Sequence, residues 1–84
     1  MSGKTILYVE DNEPNRMIVR DLLKRTTYNL IEAYDGEAGV AMALERLPDL
    51  ILMDIQLPKI SGLEAIRRLR AEPATAATPI VAIT

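Results

Sequence analysis

At 84 residues and a net charge of −2, the chain has room for one small domain and lacks the basic excess that a nucleic-acid partner calls for. It contains no cysteine, which excludes a disulfide framework and a thiolate metal site, and no histidine, which removes the commonest general base and transition-metal ligand. Hydrophobic residues make up 49% of the chain with Phe and Trp absent, so the core is expected to be aliphatic. Any chemistry must rest on carboxylates, hydroxyls, amides and Lys or Arg. No signal peptide and no membrane-spanning run is apparent. The expectation is a soluble, cytoplasmic protein with neither a nucleic-acid nor a membrane partner.

The first element is the run Thr5-Ile6-Leu7-Tyr8-Val9, apolar on both faces as a buried parallel strand should be. It stops at Glu10-Asp11-Asn12. A helix follows with Pro14 in its first turn, where a missing N–H is harmless. Ile18, Val19, Leu22 and Leu23 are expected to form its buried stripe. Leu30 to Ala33 reads as a second strand. Asp35 is placed to cap the next helix, whose buried face is expected to be Val40, Ala41, Leu44 and Leu47. Pro48-Asp49 ends it. Leu50-Ile51-Leu52-Met53 reads as a central strand, with Asp54 directly after it. Ser61 and Glu64 have the spacing of a capping box. Leu63, Ile66 and Leu69 are expected to line the third helix. Glu72 to Thr78 is a loop, Ile80-Val81-Ala82-Ile83 a fourth strand, and Thr84 follows.

Alternating strands and helices imply parallel pairing and a helix-covered α/β sheet. Ligands in such sheets bind beyond the carboxyl ends of the strands. The residues there are Glu10 and Asp11, Asp54, and Thr84. Converging carboxylates repel, by roughly 4 kcal/mol for two unit charges about 4 Å apart near a surface. Protonation or a bound cation relieves this. An all-oxygen site suits a hard ion such as Mg²⁺. An aspartate beside such an ion can act as a nucleophile on phosphorus, and Thr84 offers a hydroxyl at the next strand end.

Three segments carry a family resemblance: Leu7 to Asn12; Pro48 to Pro58 with Ser61-Gly62-Leu63-Glu64; and Pro79 to Thr84. In that order and spacing they resemble the response-regulator receiver family, including single-domain receivers and those fused to hybrid histidine kinases. The resemblance spans the whole chain and implies a flavodoxin-like, three-layer parallel sheet of strand order 2-1-3-4. It implies that Glu10 and Asp11 are the Mg²⁺-binding acidic pair, with Mn²⁺ as an alternative ion. Asp54 would be phosphoacceptor and metal ligand, Gln56 a ligand through its backbone carbonyl, and Thr84 the switch hydroxyl. Pro58 and Gly62 would shape the loop after Asp54. The family domain has five strands and five helices. Residues 1–84 are therefore expected to be a partial receiver domain without the fifth strand, the last two helices and the lysine that meets the phosphoryl group. The implied function is Mg²⁺-dependent phosphoryl transfer from a phosphohistidine to Asp54, switching conformation and partner binding. The chain would then be a phosphorelay module whose only catalysis is of its own phosphoryl transfer and hydrolysis. Its expected partners are a histidine kinase or a histidine phosphotransfer protein, with self-association or a completing chain at the fourth-strand edge.

Plainer readings stand beside these. Asp54 alone reads as a turn cap, and Glu10-Asp11-Asn12 as a helix start favoured by the dipole. Arg67, Arg68 and Arg70 read as a solvated helix face, Met17, Met42 and Met53 as packing residues, and Lys59 as an exposed loop residue. A haloacid-dehalogenase-type phosphatase would need a second aspartate where Gln56 stands and its nucleophile on the first strand. A nucleotide- or flavin-binding sheet would need a glycine-rich loop after a strand, and none is present.

Overall fold

The computed structural model describes residues 3–83. Four strands alternate with three helices: β1 (Thr5–Val9), α1 (Glu13–Leu23), β2 (Asn29–Ala33), α2 (Gly36–Arg46), β3 (Leu50–Asp54), α3 (Gly62–Ala71) and β4 (Ile80–Ile83). All pairings are parallel and the sheet order is β2-β1-β3-β4. β1 and β3 are the inner strands, as their unbroken apolar runs require.

The register divides the sheet into two faces. Leu7 pairs with Ile31 and Ile51, and Val9 with Ala33 and Met53. These residues cluster with Ala43 of α2 and with Ala65 and Leu69 of α3 to form the core. The opposite face presents Ile6, Tyr8 and Glu32, and α1 reaches it through Arg20, which makes two hydrogen bonds to the Glu32 carboxylate of 2.9 and 2.7 Å. Helices therefore lie on both faces, and the layering is α/β/α.

Each helix starts on a side-chain cap. Asn12 accepts from the Asn15 N–H at 3.0 Å, Asp35 from the Ala38 N–H at 2.7 Å, and Ser61 from the Glu64 N–H at 3.1 Å. The Glu64 carboxylate turns to Arg67 and Arg68.

Each helix also departs from its expected buried face. In α1, Ile18 and Leu22 are 59% and 67% exposed. The face turned to the sheet is Arg16, Val19, Arg20 and Leu23, because the Glu32 carboxylate draws both arginines inward. In α2, Ala41 and Leu44 point outward, as does Leu47 at the C-cap just beyond it, and Val40 is half-buried. The buried line is Gly36, Gly39 and Ala43. Close packing there favours small residues: a Cβ on Gly39 would stand 2.8 Å from a Val9 methyl of β1, and one on Gly36 would stand 2.5 Å from Ile60 Cγ1. In α3, Leu63 is exposed, and Ala65 and Leu69 carry the contact with Ile66 half-buried. Met53 is buried and Met42 half-buried, as packing residues should be, but Met17 is exposed.

The loop after α3 is more ordered than its composition suggests. Thr75 is buried and its hydroxyl donates to the Leu69 carbonyl at 2.5 Å, closing the helix end. Arg70 donates to the carbonyls of Ala76 and Thr78.

Candidate functional site

β1 and β3 lie side by side, so their carboxyl ends deliver Glu10-Asp11 and Asp54 to one spot. A carboxylate oxygen from each of the three lies within 4.8 Å of the others. Asp54 is the last residue of β3 rather than the first beyond it. The Ile55 N–H donates to the Ile83 carbonyl at 3.0 Å and so ties this turn to β4. The Gln56 N–H donates to Asp54 Oδ1 at 3.0 Å. A cleft of about 580 Å³ opens over the cluster, with Tyr8, Asn15, Gln56 and Ile83 also in its wall.

The acidic pair is asymmetric. Glu10 is 4% exposed, whereas Asp11 is exposed. Both Glu10 oxygens are held: Tyr8 Oη donates to Oε1 at 3.2 Å and the Asn12 N–H to Oε2 at 3.3 Å. The Glu10 N–H donates to the Ala33 carbonyl and its carbonyl accepts from Arg16. Burial pushes the Glu10 carboxyl above its ordinary value, and the neighbouring Asp54 adds to the rise while the Asn12 N–H opposes it. Burial, reinforced by the Glu10 carboxylate, pushes the Tyr8 phenol up to about 12.

This donor set fits a hard divalent cation. All donors are oxygens, negative charge is concentrated at one sheet edge, and a buried carboxylate there holds its charge at a cost that a cation would relieve.

The loop after Asp54 is drawn in tightly. The Gly62 N–H donates to the Ile55 carbonyl at 2.8 Å. A Cβ on Gly62 would stand 1.9 Å from the Asp54 carbonyl oxygen, so only glycine allows α3 to start this close to the cluster. Lys59, at φ 70°, is an exposed loop residue as expected, and its ammonium lies 3.5 Å from an Asp35 oxygen. Thr84 lies outside the described residues.

Two residues at the site had no part in the sequence reading. Tyr8 sits within an apolar strand run, which carries no sign of a role at the site. Arg16 gave one signal: it is a cation in the first turns of a helix, where the dipole disfavours positive charge.

A parallel α/β sheet with an all-oxygen acidic cleft at its carboxyl edge is the class of domain that this fold and site define. The family model of the response regulator receiver domain matches residues 6–84. The polar-differentiation response regulator DivK of Brucella anthropi is 42% identical over 81 residues, covering 96% of this chain and 66% of DivK. The chain thus spans a little under two thirds of that relative's length. The receiver domain of sensor histidine kinase PA1611 from Pseudomonas aeruginosa PAO1, solved with a magnesium ion coordinated in its active site cleft, is 36% identical. It superposes with a TM-score of 0.94, covering 99% of this chain and 68% of that one. The N-terminal domain of a response regulator receiver protein from Methanoculleus marisnigri JR1 is 32% identical with a TM-score of 0.93, at the same coverage. The chain belongs to the response regulator receiver domain family. Receiver domains are signalling modules of two-component systems rather than enzymes of the ordinary kind. No helix among the described residues is long and apolar enough to cross a membrane.

Proposed function

We propose that residues 1–84 form part of a receiver domain that takes a phosphoryl group on Asp54 from the phosphohistidine of a histidine kinase or histidine phosphotransfer protein. The observation that carries this reading is the meeting of Glu10, Asp11 and Asp54 within 4.8 Å at the ends of adjacent strands. Asp11, Asp54 and the backbone carbonyl of Gln56 would hold Mg²⁺, or Mn²⁺ in its place, with Glu10 beside them. A cation held there would offset the negative charge on the transferred group. A carboxylate oxygen of Asp54 forms the new O–P bond as the N–P bond to imidazole breaks, and the imidazole leaves with that electron pair. The strand end holds Asp54 in place, and the Gln56 N–H bound to Oδ1 orients its carboxylate for attack by the other oxygen. Thr84 would supply the switch hydroxyl. Hydrolysis of the resulting acyl phosphate would reset the module.

Incubating the full-length protein with Mg²⁺ and a small phosphodonor tests this. Wild type should acquire a phosphoryl group, and both Asp54→Asn and chelation should abolish it. Mg²⁺-dependent labelling that persists in Asp54→Asn would place the acceptor elsewhere.

The edge of the sheet adds a second part to the proposal. Among the described residues β4 pairs with β3 alone, and its Val81 is 49% exposed. Such an edge invites another strand. We infer self-association or a completing chain there. A polypeptide of these 84 residues alone should sediment as more than a monomer, and Val81→Lys should reduce the association. A well-behaved monomer at high concentration would refute this.

A further inference from the structure

Arg16 stands where a cation is disfavoured twice over. It lies one turn into α1, near the positive end of the helix dipole, and it is only 7% exposed. An apolar side chain of similar volume in such a place is often neutral or stabilising. Packing alone therefore does not call for arginine, and its contacts show what the guanidinium adds.

Nη1 donates to the backbone carbonyl of Glu10 at 2.8 Å. Nη2 donates to the Glu13 carboxylate. The Tyr34 ring lies 4.0 Å from the guanidinium carbon, and the Glu32 carboxylate stands 3.5 Å from Nε. The group is thus aimed by α1, β2 and the residue after β2, and its inner nitrogen meets the end of β1. The Glu10 carbonyl belongs to the planar peptide that joins Glu10 to Asp11. Holding that oxygen sets the plane of the peptide, and with it the direction in which both acidic side chains leave the backbone. The Ala33 carbonyl holds the preceding Glu10 N–H, and Tyr8 and Asn12 hold the Glu10 carboxylate. Among the described residues, no hydrogen bond holds the exposed Asp11 carboxylate, so its placement rests on the peptide that Arg16 grips.

We propose that Arg16 is a positioning residue for divalent-cation binding at this cleft, acting through the Glu10–Asp11 peptide. This rests on the reading of Glu10, Asp11 and Asp54 as the cation site. Arg20 provides the comparison. It binds the same Glu32 carboxylate from the same helix, at 2.7 and 2.9 Å, but does not touch Glu10.

Isothermal titration of the full-length protein with Mg²⁺ alone, paired with melting of the metal-free forms, separates positioning from general support. Arg16→Met should raise the Mg²⁺ dissociation constant about tenfold, the lower end of what loss of a ligand-orienting partner costs. Arg16→Lys keeps the charge but cannot grip the Glu10 carbonyl and Glu13 and stack on Tyr34 together, so it should recover only part of the affinity. Arg20→Met should lower the melting temperature and leave Mg²⁺ affinity at the wild-type value. Asp11→Asn and Asp54→Asn are titrated alongside. If neither weakens Mg²⁺, the cation-site reading itself is wrong. If they do and Arg16→Met binds like wild type, or Arg20→Met loses as much affinity as Arg16→Met, the positioning role alone is overturned. If Arg16→Met does not fold, Arg16→Lys decides: wild-type affinity in it, or failure of both variants to fold, makes Arg16 a structural residue only.

Discussion

The two faces of the sheet are built on different principles. Under α2 and α3, Leu7, Val9, Ile51 and Met53 are completely buried against small residues and Leu69. Under α1, ionic contacts are added to the burial of Ile6 and Tyr8: Arg16 and Arg20 converge on Glu32, and Ile18 and Leu22 point away from the sheet. The first face supplies apolar burial, which is non-directional. The second supplies hydrogen bonds, which have direction, and it lies on the side where Tyr8, Glu10 and Arg16 meet. The difference teaches that in this domain one side stabilises the sheet by apolar burial, while the other adds directed contacts that aim the residues at its edge.

Substitutions on the apolar face should have the largest effect. Ile51→Ala is expected to cost about 3–4 kcal/mol in urea unfolding of the full-length protein, the range for emptying a fully packed aliphatic position. Leu52→Ala, next in sequence but half-buried on the other face, should cost clearly less. Equal costs for the two would abolish the distinction between the faces.

Gly62→Ala comes next. The added methyl would meet the Asp54 carbonyl and the Ile55 backbone, neither of which is a flexible side chain. A loss of about 2 kcal/mol is expected from overpacking. Mg²⁺ affinity should fall with it, because the displaced backbone is that of Asp54. Unchanged stability by chemical denaturation would show that α3 can retreat without cost.

Glu32→Gln tests the polar face. Arg20, hydrogen-bonded to Glu32, is the main reason that its carboxyl is held below the ordinary 4.5. A carboxyl lowered in the folded state adds stability above its unfolded value, and that stability is lost as pH falls through the folded value. Glu32→Gln should therefore cost about 1.5 kcal/mol at neutral pH, as for a hydrogen bond to a charged group. The gap from wild type should close as pH falls below about 4.5. A gap that stays constant across that window, followed by thermal melts, would mean that Glu32 acts by shape and not by charge.

The smallest effect is expected at Asp35. Its side chain caps α2 through the Ala38 N–H, and Asp35→Ala should cost about 1 kcal/mol by loss of that cap. Lys59 should become more mobile in the same variant, since Asp35 is its ion-pair partner. NMR order parameters for the Lys59 loop that match wild type would show the pair to be incidental.

Much of this was legible before any coordinates. Helix starts could be read because caps are local: Asn12, Asp35 and Ser61 each act within three residues. Strands could be read because an inner parallel strand must be apolar on both sides, and Leu50 to Met53 has no polar residue. The helix faces were less legible. Reading the largest apolar residues as buried chose Leu44 and Leu47 over Gly36, Gly39 and Ala43, although the spacing of those three small residues was itself a sign of close helix–sheet contact. In α1 the same habit passed over Arg16, whose burial depends on Glu32, sixteen positions away in sequence and on another strand.

By itself, the sequence determined where the strands and helices lie and which acidic residues end the strands. Those features follow from local propensity, from periodicity and from the rule that parallel strands expose their carboxyl ends together. Only the tertiary structure decided how far each residue is buried, which helix face meets the sheet, and that Glu10 is gripped at its amide, its carbonyl and its carboxylate while Asp11 stays open. The reason is physical: burial and ion pairing are properties of what arrives from elsewhere in the chain. The partners of Glu10 come from β1, α1 and the end of β2, segments that only the folded sheet brings together.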